Sequence, residues 1–311
     1  MSSDGRRTEL DALAVALLVG CCAIWGLGQV AAKVGLQQIP PLLQAAVRSL
    51  GAALLLLLWC RLRGIDVLRA DGTGRAGLVA GLLFAAEFGC IFVGLQYTTA
   101  SRMAVFLYLA PFVVAIGMPL ISRSERLHAL QVAGLALAFG GVVWAFAEGF
   151  SRPAAGDRQW LGDSFGIAAA ALWGATTLVM RGSSLATALP EKSLLYQLGI
   201  SALALGAAAA VQGETVPSTL SALSWTVLVF QTVVITFASY LVWFWLVRHY
   251  PATRISAFTL LTPLFGLLAG VLLLGEPMTP RLVTALVAVC AGIWLVNRPR
   301  ASAPPPPAAT R

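Results

Sequence analysis

Two charged side chains, Arg48 and Glu87, lie well inside uninterrupted apolar runs. Counted at about 1.5 Å per residue from the outer end of each run, Arg48 is ~10 Å deep and Glu87 ~15 Å. A charge at such a depth costs roughly 2.5–3.5 kcal/mol on insertion scales. Two readings stand: a substrate or proton site, or a structural ion pair with Arg48 free to reach outward instead. On the first reading, Glu87 and Arg48 are the candidates for proton coupling, because a buried carboxylate must take a proton or hold a cation. The polar stripes come next. Trp25, Gly28 and Gln29 share a helical face, as do Trp173, Thr176, Thr177 and Met180. Thr232, Thr236, Ser239 and Trp243 follow at helical spacing, then Thr259 and Thr262, with Tyr108 and Tyr240 as amphipathic companions. A mostly apolar pocket with a few hydroxyls and aromatics suits a small molecule. The candidate ligand-binding set is therefore Trp25, Gln29, Glu87, Tyr108, Trp173, Thr176, Thr177, Ser239, Tyr240, Trp243, Thr259 and Thr262. For any single hydroxyl, a bond to a neighbouring helix is the plainer reading.

Other chemistry is poorly supplied. His128 and His249 have no second ligand at metal spacing, and the five cysteines all fall inside apolar runs. No His-Glu-x-x-His helix or nucleotide-binding loop is present, so neither an enzyme nor a cofactor or metal is expected. Glu125 and Glu276 read as helix-start carboxylates, and Arg102 and Arg254 as anchors at span ends.

The elements that position these residues follow from composition. The chain is 59% hydrophobic and 11% charged, with mean hydropathy +0.84, too apolar for a water-facing skin. Its apolar runs of roughly 20 residues match a bilayer core, and they lack the alternation of barrel strands. The expected fold is all-α integral membrane, with ten transmembrane helices near 10–32, 41–60, 76–97, 101–122, 127–148, 162–181, 191–212, 223–246, 253–273 and 279–297. Residues 1–9 form a cytoplasmic tail, 149–161 a periplasmic linker and 298–311 a disordered Pro-rich tail. Arg6 and Arg7 resemble a signal-peptide start, yet the run continues to Ala32, too long for a signal. The net charge of +8 would suggest nucleic acid in a soluble protein; here the basic residues separate apolar runs and report topology. With a cytoplasmic N-terminus, fifteen of the 21 basic residues fall on the cytoplasmic side, five outside, and Arg48 within. Both termini are thus read as cytoplasmic. Gly77/Gly81, Gly162/Gly166 and Gly266/Gly270 mark close helix packing.

The halves repeat. Ala23-Ile24-Trp25-Gly26 returns as Ala171-Leu172-Trp173-Gly174, an offset of 148 that also pairs Lys33 with Arg181. Thr99-Ala100-Ser101-Arg102 returns as Pro251-Ala252-Thr253-Arg254 at offset 152, carrying Pro111 onto Pro263 and Glu87 onto Ser239. Ser124-Glu125-Arg126-Leu127 matches Gly275-Glu276-Pro277-Met278 at offset 151. Five helices per half is an odd number, so the repeats, 10–148 and 162–297, are inverted. With the late Gly140-Gly141 and Gly292, these features make the chain resemble the drug/metabolite transporter superfamily, EamA-type. That resemblance implies a ten-helix fold, a central cavity lined largely by helices one, three, four, six, eight and nine, and transport of small metabolites. The function expected is secondary transport, as an exporter, across a bacterial inner membrane by alternating access. A lipid-carrier flippase and a membrane-embedded enzyme are the alternatives. The partners expected are a small-molecule substrate, protons, the lipid bilayer and a second copy in a homodimer, with no nucleic acid.

Overall fold

Lipid offers a backbone no hydrogen bonds, and the described residues contain helices and no strand. The computed structural model describes residues 9–122, 126–145, 147, 157–266, 268 and 280–297. The tail 1–8, Glu125, residues 149–156 of the linker, Gly270, the 275–278 landmark with Glu276, and the end 298–311 lie outside the described residues.

α1 (Ala12–Gly35) starts on Asp11, whose carboxylate accepts from the Ala14 N–H at 2.9 Å. α2 (Pro41–Leu62) begins on proline, whose missing N–H is harmless in a first turn. There follow α3 (Gly74–Tyr97), α4 (Ala100–Leu107), α5 (Ala110–Ile121), α6 (Ala129–Ala145) and α7 (Gln159–Gly182). α8 (Pro190–Val211), α9 (Ala222–Val229), α10 (Tyr240–His249), α11 (Ala252–Phe258) and α12 (Pro280–Asn297) complete the set. Among the described residues six helices are long and apolar enough to cross a membrane: α1, α2, α3, α7, α8 and the rod Ala222–His249. Val105–Ile121, Ala129–Trp144 and Val283–Asn297 are shorter apolar helices. The protein is therefore an all-helical, multi-pass membrane protein. Its outer surface agrees: Leu120 is 90% and Val211 88% exposed, a face that suits lipid rather than water.

Three expected spans are not continuous α-helices. The run 101–122 breaks between α4 and α5 at Tyr108–Leu109, and 253–273 turns 3₁₀ at Thr259–Leu261. Pro111 and Pro263 explain both, since neither has an N–H for the carbonyl four residues earlier, on Leu107 and Thr259. Within the rod, Phe230–Ser239 is a π-helix.

Two helix pairs are stapled along their length. Between α2 and α8, the Ser49 and Ser201 hydroxyls are 3.3 Å apart. At one end of this pair, Glu214 accepts from the Leu42 and Leu43 N–H groups at 3.2 and 2.7 Å, supplying partners for a helix start. At the other, Lys192 pairs with Asp71 at 2.8 Å. The Lys192 ammonium, with the Thr73 hydroxyl, holds the Asp71 carboxyl down at about 2. Between α6 and α12, Gln131 Nε2 donates to the Val296 carbonyl at 2.8 Å. A Cβ on Gly134 would stand 2.8 Å from the Gly292 carbonyl, and one on Gly141 3.1 Å from that of Ala285. Only glycine permits such an approach. Of the expected small-residue pairs, Gly77 and Gly81 receive Tyr196 and Ile200 of α8, and Gly162 meets Thr98 and Gly94.

Candidate functional site: a central aromatic cavity

A cavity of about 90 Å³ opens at the middle of the bundle. Its wall comes from α1, α2, α3, α4, α7, α8, Ile235 of the π-helix and α10. Trp25 is central. Its ring lies 6.2 Å from that of Trp173, 5.2 Å from Trp243 and 6.1 Å from Tyr240, all edge-on, the arrangement aromatic quadrupoles prefer. Tyr108, at the α4 break, reaches Trp173 at 5.8 Å. Phe84 and Phe88 continue the aromatic wall onto α3, 5.9 and 6.1 Å from Tyr240.

Two charges face this cavity. Glu87 is 5% and Arg48 3% exposed. The Arg48 guanidinium stacks on Phe88 at 4.0 Å and on Phe92 at 4.9 Å. Among the described residues no ion pair within 4.0 Å joins Arg48 to Glu87, and Arg48 Nε and Nη2 have no hydrogen-bond partner.

Nine of the twelve residues expected to bind a ligand border the cavity: Trp25, Gln29, Glu87, Tyr108, Trp173, Thr176, Thr177, Tyr240 and Trp243. Arg48 does so too. Ser239, Thr259 and Thr262 do not; all three are buried behind it. Ser239 instead accepts from Trp25 Nε1 at 2.7 Å while donating to the Ile235 carbonyl at 2.6 Å, so it positions the central tryptophan. Thr259 donates to the Ser256 carbonyl at 2.7 Å, next to the break that Pro263 causes. The stripe read through Thr232, Thr236, Ser239 and Trp243 does not present one face. It crosses the π segment, whose wider turn shifts the register. The Thr176 and Thr177 hydroxyls donate to Leu172 and Trp173 carbonyls of their own helix, at 2.8 and 3.1 Å. Sequence reasoning missed Phe84, Phe88, Ile91 and Phe92, yet with Glu87 they follow one helical face at steps of three, four, seven and eight. It also missed Gln197 of α8, whose Nε2 donates to Met180 Sδ at 3.3 Å and whose Oε1 has no partner.

Two polar clusters lie at opposite ends of the bundle. At one, Arg102 grips Asp163 with Nε to Oδ1 at 3.1 Å and Nη2 to Oδ2 at 2.6 Å. Thr98 Oγ1 donates to the same carboxylate at 2.8 Å, and Lys33 Nζ donates to the carbonyls of Leu95 and Thr98. Arg102 is thus a clamp between α4 and α7 rather than an interface anchor. At the other end, Arg181 Nη1 donates to the Val247 carbonyl at 3.0 Å, and the Tyr250 hydroxyl to Asp11 Oδ1 at 3.0 Å. Lys33 and Arg181 stand 148 apart, and Leu95 and Val247, like Thr98 and Tyr250, 152 apart, the offsets read in the sequence. Asp11 sits one turn before the mate of Asp163.

Comparison with known proteins places these features. The sequence model of the EamA-like transporter family matches the chain twice, over residues 12–147 and 160–298. An uncharacterized transporter of Bacillus subtilis (strain 168), YvbV, is 29% identical over 93% of each chain. An uncharacterized protein of Pseudomonas aeruginosa, PA1977, is 30% identical over 82% of this chain and 83% of its own. A protein of Escherichia coli (strain K12) named "Probable amino-acid metabolite efflux pump" is 24% identical over 90% of this chain and 93% of its own. A solved crystal structure shares the fold with a TM-score of 0.75 at 17% identity, covering 92% of this chain and 96% of that one.

Proposed function

The chain belongs to the EamA-like transporter family, and on that premise we propose that it is a secondary transporter exporting a small polar or amphipathic metabolite across a bacterial inner membrane. The observation that carries this reading is a buried cavity set between two clusters built from repeat-mate residues. Family and relatives' names point to transport rather than catalysis.

The mechanism proposed is alternating access by ten spans in two inverted repeats, 10–148 and 162–297, with both termini cytoplasmic. Three features support the repeats. The family matches each half separately. A twofold axis requires mates to meet where it passes, and Ser49 meets Ser201 across an offset of 152 while Trp25 meets Trp173 across 148. It also requires each off-axis contact to have a twin: Gly134 against Gly292 is answered by Gly141 against Ala285, and Lys33 to Leu95 by Arg181 to Val247. Under this reading α2, α8, α6 and α12 form the stapled frame, and α1, α3, α4, α7 and the rod Ala222–His249 move. The Arg102–Asp163 cluster closes the outer end and the Tyr250–Asp11 cluster the inner. Each access state keeps one cluster and breaks the other, so the two states differ by a few hydrogen bonds. Glu87, in the cavity wall, is the residue proposed to couple protons or a cationic group to this exchange. Export is favoured by the name of the Escherichia coli relative, and amino-acid metabolites are accordingly the first substrates to test.

The test is counterflow into proteoliposomes of purified protein, with a panel of labelled amino acids and their acetylated derivatives. Saturable exchange of any member supports the reading. Exchange of none, by protein that is folded and correctly inserted, would sink it.

A further inference from the structure

Arg48 presents an unanswered question within the cavity. It is 3% exposed, its plane is fixed on Phe88 and Phe92, and Nε and Nη2, one whole edge of the guanidinium, have no partner. The same two nitrogens of Arg102 each hold an oxygen of Asp163. That fork-to-fork match is how a guanidinium recognises a carboxylate. Tyr240 and Glu87 act on Arg48 from the same cavity wall, yet neither supplies a hydrogen bond to the Nε–Nη2 edge.

Resting on the transport reading above, we propose that the Nε–Nη2 edge of Arg48 docks a carboxylate of the transported molecule, whose apolar body lies among the aromatic rings. A planar carboxylate matches the edge in shape, and facing Glu87 across the same small space it meets about half the repulsion a doubly charged phosphate would. A cavity of about 90 Å³ keeps the ligand small. The substrate class is a short-chain carboxylic acid with a branched or ring-bearing apolar part, free or as the acid end of an amino acid.

Trp25, Trp173 and Trp243 border the cavity, so ligand binding reads out in tryptophan fluorescence. The probes are 4-methylpentanoate, its amide 4-methylpentanamide, 3-methylbutylamine and L-leucine, titrated into purified protein in gluconate and again in chloride buffer. The acid is expected to bind the wild type about tenfold or more tightly than the amide, since the carboxylate offers a charged oxygen to each nitrogen and the amide only one neutral oxygen. Arg48→Lys keeps the charge but loses the fork, and should weaken the acid about tenfold while leaving the amide unchanged. Arg48→Gln should remove the preference altogether; if that variant fails to fold, the wild-type pair and Arg48→Lys decide the matter. Equal affinity for acid and amide overturns the proposal, as does an unchanged acid affinity in Arg48→Lys. Loss of acid binding in chloride but not in gluconate means an inorganic anion fills the edge, and overturns it as well. If the amine binds and exchanges in counterflow while both acids do not, the docking proposal falls and the transport reading stands. If no probe binds and no metabolite exchanges, both fall.

Discussion

On the proposed gating and orientation, replacing Asp163 with Asn should open the outer end of the protein. The carboxylate is held by two Arg102 bonds and one from Thr98, and the paired side chains are only 10% and 14% exposed. An exposed pair is worth about 0–1 kcal/mol, and breaking a fully buried one costs about 3–5. This pair lies between, nearer the buried limit, and the amide still accepts from Thr98, so a loss of about 2 kcal/mol is expected. On the gating reading that loss falls on the state closed outside and spares the state open there. A 2 kcal/mol shift changes their ratio about thirtyfold. Ala32, which borders the cavity, becomes the reporter as Ala32→Cys, with the five native cysteines replaced. Its labelling by a membrane-impermeant maleimide applied outside intact cells should accelerate by about that factor. Arg102→Gln should do the same, and the double variant should add little, because both substitutions remove one interaction. Tyr250→Phe deletes the hydroxyl that donates to Asp11 and should slow outside labelling about fivefold, for a loss of about 1 kcal/mol on the opposite closure. Opposite signs separate a gate from general loosening. Labelling of Asp163→Asn within twofold of its parent, in protein of normal yield and melting temperature, would show that the pair only packs α4 against α7.

Two further outcomes follow. Orientation is checked by single cysteines at Leu68 and Val216, each 75% exposed: Val216→Cys should label from outside and Leu68→Cys only in permeabilised cells, and the reverse pattern would invert the topology. Glu87→Gln should insert and fold normally, keep counterflow and lose pH-driven accumulation in proteoliposomes; undiminished accumulation would remove Glu87 from coupling.

Much of this was legible in the sequence because lipid makes length and polarity speak together. Arg48 and Glu87 stood out as charges within apolar runs, and both border the cavity. Trp25 and Trp173 were found through the repeat, and they are edge-on neighbours. What escaped has physical reasons. Pro111 sits in an otherwise apolar run, and a proline kink and a full break look alike in one dimension. The π segment has no compositional mark, so the stripe ending at Trp243 was projected with the wrong turn. Asp163 lies close to a span end, where a carboxylate is unremarkable, and its partner Arg102 is 61 residues away, beyond any local pattern. Phe84, Phe88 and Phe92 could have been found: their spacing around Glu87 is the signal, overlooked because apolar residues in an apolar helix seem to need no explanation.

The two halves agree at their ends and differ at their centres, and the difference bears on direction. Under the proposed inverted repeat, Lys33 with Leu95 and Arg181 with Val247 are equivalent bonds, and they lie at opposite ends of the bundle. On the proposed alternating-access mechanism, closures built alike would leave the two access states close in energy, which easy exchange requires. Symmetry carried through the centre would leave nothing to bias that exchange. There, however, α3 is a regular helix bearing Glu87, whereas its mate position is Ser239, at the end of a π-helix and engaged with Trp25. An acid that faces the cavity from one repeat alone presents different surroundings to a ligand or proton arriving from each side. A ligand shifts the balance of states only through a difference in its interaction with them. The Glu87/Ser239 asymmetry is one place in this cavity where such a difference is built into the chain, and Arg48, whose mate at the same offset is Ile200, is a second. Placing an acid in both halves by Ser239→Glu, or in neither by Glu87→Ser, should therefore blunt the pH dependence of net transport relative to counterflow. Variants that fold and keep the wild-type pH response in both assays would show that the bias is stored elsewhere.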